Sequence, residues 1–218
     1  MGRKAILRTL AYADIFDYPL TSSEVWRFLI GQKKVGIDTL QKVLKQIQAD
    51  EKQIEADIDF YFLAKRRKII ALRKKRQIWS RKKMKIARRA AGWLKLLPSI
   101  KMVAVTGALA MENSDKDDDI DLLIITAENR LWLTRLLTVL LIEMVAQRRR
   151  PGDKQVKDKI CLNMFLDESH LRVPKKEQDL FAAHEVCQLK PIWERIGTYQ
   201  KFIQKNQWVK QFLPNWRP

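Results

Sequence analysis

The sequence predicts an α+β protein with a helical N-terminal module, a basic helical connector, and a small mixed-sheet core followed by C-terminal helices. Three observations carry this reading. Residues 3–63 show apolar positions at helical spacing and then a short alternating stretch; residues 64–98 form one long basic helical pattern; from residue 102 short apolar strand-like runs alternate with helical ones. The boundaries expected from these shifts are 1–63, 64–98 and 99–218. With 218 residues, 46% of them hydrophobic, the chain is large enough for a packed core and too apolar for wholesale disorder.

In the first part, Ile6, Leu7, Leu10 and Ile15 give the first helix an apolar stripe, and Pro19 stops it. Thr21-Ser22-Ser23-Glu24 has the spacing of a capping box and opens a second helix, whose apolar face is Val25, Phe28 and Leu29. Gly31 and Gly36 mark a turn, after which Ile37, Leu40, Val43, Leu44 and Ile47 recur at helical spacing. Ile54, Ile58, Phe60 and Phe62 then alternate with Asp57, Asp59 and Tyr61, the pattern of a hairpin. Three helices and a hairpin in this order resemble a winged-helix module.

The formal charge of +18 is unevenly distributed. Residues 1–64 hold nine bases and nine acids, residues 65–101 hold sixteen bases and no acid, and residues 102–218 hold eighteen bases and sixteen acids. Along the connector Ile69, Leu72, Trp79, Ile86, Trp93 and Leu97 fall near heptad spacing and predict the packed stripe. The remaining faces, with Arg73, Lys74, Lys75, Arg81, Lys82, Lys83, Lys85, Arg88 and Arg89 among their bases, are expected to be wet. So many like charges repel at close range, and an anionic partner, nucleic acid foremost, would relieve them through residues 65–89.

Neither a secretory leader nor a transmembrane segment is expected. The most apolar run, residues 131–146, contains Arg135 and Glu143 and is shorter than the ~20 residues a bilayer requires; it is expected to be a helix buried in protein. Two cysteines, Cys161 and Cys187, without metal-ligand spacing point to free thiols and a cytoplasmic setting. His184 among apolar neighbours reads as a packing histidine, and His170 supports no role. Asp115, Asp117 and Asp118 read as a solvated loop, and Trp79 and Trp93 as packing residues.

The chemistry concentrates between residues 103 and 126. A short strand, Met102-Val103-Ala104-Val105, runs into Thr106-Gly107-Ala108, where a glycine permits a sharp bend and exposed backbone N–H groups can hold phosphate. Ten residues after Ala108, Asp119 and Asp121 flank Ile120 at the start of a second strand. Two apart on a strand, the acids project from one face while Ile120, Leu122 and Ile124 turn into the core. Such a pair repels itself and suits a hard divalent cation, magnesium first. A helix over residues 129–147, a third strand over residues 160–166, and two helices divided near Pro191 complete the expected core.

Val105-Thr106-Gly107-Ala108, the gap of ten, and Asp119-Ile120-Asp121-Leu122 resemble the signature of the polymerase-beta-like nucleotidyltransferases over residues 82–167. The resemblance implies that Asp119 and Asp121 ligate Mg2+ bound to a nucleoside triphosphate and act as the catalytic acids, and that Gly107 and Ala108 hold its phosphates. Two departures stand out. Ala108 replaces the usual Gly or Ser, and the third-strand position where the family generally carries another carboxylate reads as Asn163, which offers a carbonyl but cannot act as a base. Asp167 and Glu168 lie at the strand's end as substitutes under another register. Two readings follow: a Mg-dependent transferase moving a nucleoside monophosphate onto a hydroxyl acceptor, and a nucleic-acid-binding regulator with a catalytically degenerate fold. A third, half of a two-protein toxin–antitoxin pair, is disfavoured because such small members are shorter and lack an N-terminal module.

Overall fold

A computed structural model describes residues 2–49, 53–57, 59–195 and 197–218. Ile58 of the hairpin pattern and the side chain of Ile47 lie outside the described residues. The fold is α+β and divides into two compact units. The first comprises Met1–Lys75, Gln178–Cys187 and Trp208–Pro218; the second comprises Arg76–Glu177 and Gln188–Gln207. Among the described residues no helix is long and apolar enough to cross a membrane.

The first unit runs α1 (Gly2–Asp14), β1 (Leu20–Thr21), α2 (Ser22–Arg27), α3 (Ile37–Ala49), β2 (Ile54–Asp57) and β3 (Phe60–Leu63). Its antiparallel sheet has the order β1-β3-β2, so the hairpin gains a short third strand that two residues were too few to signal. α1 buries Ile6, Thr9, Leu10 and Ala13, whereas Ile15 lies past the helix end and is exposed. The expected capping box is present: the Glu24 N–H donates to Thr21 Oγ1 (3.3 Å) and the Thr21 N–H to Glu24 Oε2 (2.8 Å).

Glu24 also receives Arg73 from the next helix, α4 (Lys68–Leu94), with Nη1 and Nη2 each 2.8 Å from a carboxylate oxygen. Arg73 is 5% exposed and lies over the Tyr18 and Phe60 rings, 4.2 and 4.8 Å from their centroids. Burial pushes the Glu24 carboxyl up, but the Arg73 guanidinium and the Thr21 hydrogen bonds hold it below its ordinary value. Arg73 is therefore a paired core residue, not one of the wet bases expected of α4.

The second unit contains the rest of α4, β4 (Ile100–Val105), α5 (Gly107–Ala110), β5 (Ile120–Thr126), α6 (Leu131–Val145), β6 (Ile160–Asp167), β7 (Lys190–Glu194) and α8 (Thr198–Lys205). The sheet order is β6-β5-β4-β7; β5 and β6 are parallel and the other pairs antiparallel. Its core brings Ala87, Ala90, Ala91 and Leu94 of α4 together with Val103, Val105, Ile120, Leu122, Ile124 and Ile142.

Three expectations are corrected here. The residues near Pro191 form β7, not a break between helices; proline is tolerated because β7 is an edge strand whose register shifts at that point. The buried seam of α4 runs through Ile69, Arg73, Ser80, Lys83, Ala87 and Leu94, because small side chains and paired cations fit against the sheet and loops, and Trp93 is left exposed. Finally, α6 is not buried all round. It turns Thr134, Thr138 and Ile142 inward and leaves most of its leucines exposed.

His184, on α7 (Leu180–Gln188), is buried and stacks on Tyr12 (centroids 4.1 Å apart) and Phe28 (5.7 Å). Burial lowers its pKa to about 4, below the 6.5 of an exposed imidazole. The unfolded chain thus takes up this proton at a higher pH than the folded one, and stability is full above pH 6.5 and falls as pH drops towards 4. Urea denaturation at pH 7 and pH 5 should show a loss on the order of 1–2 kcal/mol from this group, and His184→Gln should remove most of that difference.

Candidate functional site

The site forms where β4 turns into α5 beside the start of β5. Gly107 adopts a left-handed φ of +60°, and a Cβ there would stand 3.3 Å from Asp121 Oδ2. The Thr106 N–H donates to the Asp121 carbonyl (3.1 Å), fixing the corner to the strand. The Thr106 hydroxyl is buried with no hydrogen-bond partner among the described residues. Ile120, Leu122 and Ile124 are fully buried in the core, so the alternation of β5 turns Asp121 to the opposite face.

Asp119 and Asp121 converge. One oxygen from each and Cys161 Sγ lie within 4.8 Å of one another, the single such group among the described residues. The third member differs from expectation. β5 and β6 pair Asp121 with Cys161 and Leu122 with Leu162, but Leu123 with Met164, so a bulge inserts Asn163 without a partner on β5 and leaves it exposed. The third-strand position facing the acids is therefore Cys161, not Asn163. Asp167 and Glu168 do not replace it: Asp167 pairs with Thr126 at the far end of β5 and accepts from the Asn129 and Ser169 N–H groups, while Glu168 meets Lys101 and Lys201.

Burial, then the neighbouring Asp119 charge, raises the Asp121 pKa, while Cys161 and Arg149 act the other way. Burial and the hydrogen bond to Asp121 push the Cys161 thiol up to about 12, so it is protonated at neutral pH. Asp119, Asp121 and Cys161 together offer three potential ligand atoms for a divalent cation, and neither histidine belongs to the cluster. The two carboxylates supply hard oxygen ligands compatible with a divalent cation.

Arg149 completes the constellation and was not singled out in the sequence; its only signal is the run Arg148-Arg149-Arg150. Its Nη1 lies 2.6 Å from Asp119 Oδ2, and its backbone N–H donates to the Ile160 carbonyl beside β6. The hydrogen bond to Asp119 raises the guanidinium's pKa further.

The acidic loop before Asp119 is organised by α4. Arg76 donates to Asn113 Oδ1 (3.3 Å), Ser80 Oγ accepts the Ser114 N–H (3.1 Å), and Lys83 Nζ donates to the Lys116 and Asp118 carbonyls (3.1 and 2.7 Å) and to Asp158 Oδ1 (2.7 Å). Asp118 caps the loop internally by accepting the Asp115 N–H (2.7 Å). Lys83 is 1% exposed, so a cation expected to be solvated is buried, and it holds the residue immediately before Asp119.

No family model matches the chain, and no curated protein matches it. A solved structure described as a toxin–antitoxin with AMP-PNP is 14% identical, covering 56% of this chain and 89% of that one with a TM-score of 0.33.

Replacing Lys83 with Met should leave two carbonyls and Asp158 without their cation. The expected loss is on the order of 2–3 kcal/mol in urea denaturation, with hydrogen exchange accelerated at the amides of residues 114–120.

Proposed function

We propose that the chain binds a magnesium–nucleoside triphosphate at Asp119, Asp121 and the Gly107–Ala108 turn, and transfers the nucleoside monophosphate to a hydroxyl acceptor. The observation that carries this reading is the convergence of two carboxylates, one of which, Asp121, adjoins a left-handed glycine whose missing Cβ leaves room beside it. When bound, magnesium supplies neutralisation of the phosphate charge and alignment of the attacking and leaving oxygens.

The chain's own residues divide the remaining work. Asp119 and Asp121 hold the cation. The backbone at Gly107 and Ala108 donates to the distal phosphates; Ala108 lacks a hydroxyl but keeps its N–H. Arg149, exposed and ion-paired to Asp119, is the cation beside the acids that would pair with a triphosphate oxygen if Asp119 held a metal. Cys161 stands where a third carboxylate would be and brings no hard oxygen ligand to that position. Transfer is therefore expected to be slow, with the acceptor's proton passing to water.

Calorimetric titration of ATP in the presence of magnesium should show binding that the Asp119→Ala/Asp121→Ala protein weakens at least ~10-fold, about 1.4 kcal/mol. Label should follow the α-phosphate, not the γ-phosphate, into an acceptor product. Equal binding by both proteins would refute the assignment.

A second reading, a nucleic-acid-binding regulator, has its own support. Arg81, Lys82, Lys85, Arg88 and Arg89 are exposed on α4 and form no ion pair among the described residues. Farther along that helix Arg89, Gly92, Trp93 and Leu96, with Lys157, line an open cleft of about 700 Å³. Cations beside an exposed tryptophan suit a phosphate backbone and a stacked base. This reading predicts oligonucleotide binding that survives loss of Asp119 and Asp121 and weakens on the order of 100-fold between ~50 and ~200 mM salt. Fluorescence anisotropy at low salt with no binding would remove it.

A further inference from the structure

α6 is amphipathic in the wrong sense for a lone subunit. It turns Thr134 and Thr138 towards the protein, where Thr134 Oγ1 donates to Ser99 Oγ (2.7 Å), and exposes Trp132 (76%), Leu136 (56%), Met144 (75%), Leu133, Leu137 and Leu140. At ~100° per residue these six positions cover roughly 140° of the helix circumference, a continuous stripe along its whole length. Together they expose roughly 700 Å², more than the ~300–600 Å² of the largest apolar patch on a typical monomer.

We infer that this face is a homodimer interface in which α6 packs antiparallel against α6 of a second copy. Two arguments select that occupant. The exposed area, if wholly covered, approaches the ~800 Å² that each partner contributes to a stable interface. The ridge Trp132, Leu136, Leu140, Met144 is also self-complementary about residue 138. A two-fold axis there sets each Trp132 against the other copy's Met144 and each Leu136 against the other copy's Leu140, joining aromatic to thioether and leucine to leucine. A lipid surface fits less well: Glu143 stands on the same face, ion-paired to Arg148 (2.8 Å) and Arg150 (2.9 Å), a group tolerated at a protein rim but costly in acyl chains. The inference does not depend on the nucleotide reading.

The full chain should sediment at twice its 25.7 kDa mass at micromolar concentration. Leu136→Asp/Leu140→Asp, both at exposed positions, should keep the circular dichroism spectrum and raise the dimer dissociation constant at least ~100-fold. Mixed Leu136→Cys and Leu140→Cys proteins should form a disulfide-linked heterodimer on mild oxidation. Trp132→Cys alone should not, because its counterpart lies on the order of 18 Å away along the pair. A wild-type monomer at every concentration, a monomer that floats with phosphatidylcholine–phosphatidylglycerol vesicles, or rapid cross-linking of Trp132→Cys would each overturn the proposal.

Discussion

The candidate site depends on one buried ammonium. Lys83 reaches from the seam of α4 to two loop carbonyls and the Asp158 carboxylate, and so ties together the segments entering β5 and β6. A buried lysine is costly unless every proton on its nitrogen finds an acceptor, and here all three do. The backbone joins the same places: the Asp158 N–H donates to the Asp118 carbonyl and the Ile120 N–H to the Lys159 carbonyl. Asp119 thus emerges from a segment held on both sides, which fixes the position of a short loop end.

α4 performs two tasks with one composition. Its inward cations are consumed in structure, Arg73 by Glu24 and Lys83 by the loop, while the outward ones remain available to solvent or a polyanion. A count of sixteen bases without an acid therefore overstates the charge presented to a partner. What distinguishes the two sets is their position around the helix, because the inward ones meet acceptors contributed by distant parts of the chain.

Much of the core was legible because its signals are local. The capping box at Thr21 and Glu24 lies within four residues, and the alternation around Asp119 and Asp121 follows from the pleat of one strand. What escaped depends on pairing between remote segments. No local feature of Cys161-Leu162-Asn163-Met164 announces a bulge, yet that bulge decides which side chain stands opposite Asp121. Pro191 argued against a strand because an edge position cannot be read from composition. α6 read as buried because an apolar run gives the hydrophobicity of a helix but not the direction in which it faces. Arg149 was invisible because its approach to Asp119 spans thirty positions of sequence.

The corner at Gly107 has a genetic consequence. Its backbone sits in a region that side chains disfavour, and the space a side chain would enter adjoins the Asp121 carboxylate. Every missense change of that codon introduces a β-carbon, so even the smallest replacement presses on the Asp121 carboxylate. An allele altered only at this codon would crowd the acidic pair, although it removes no charge.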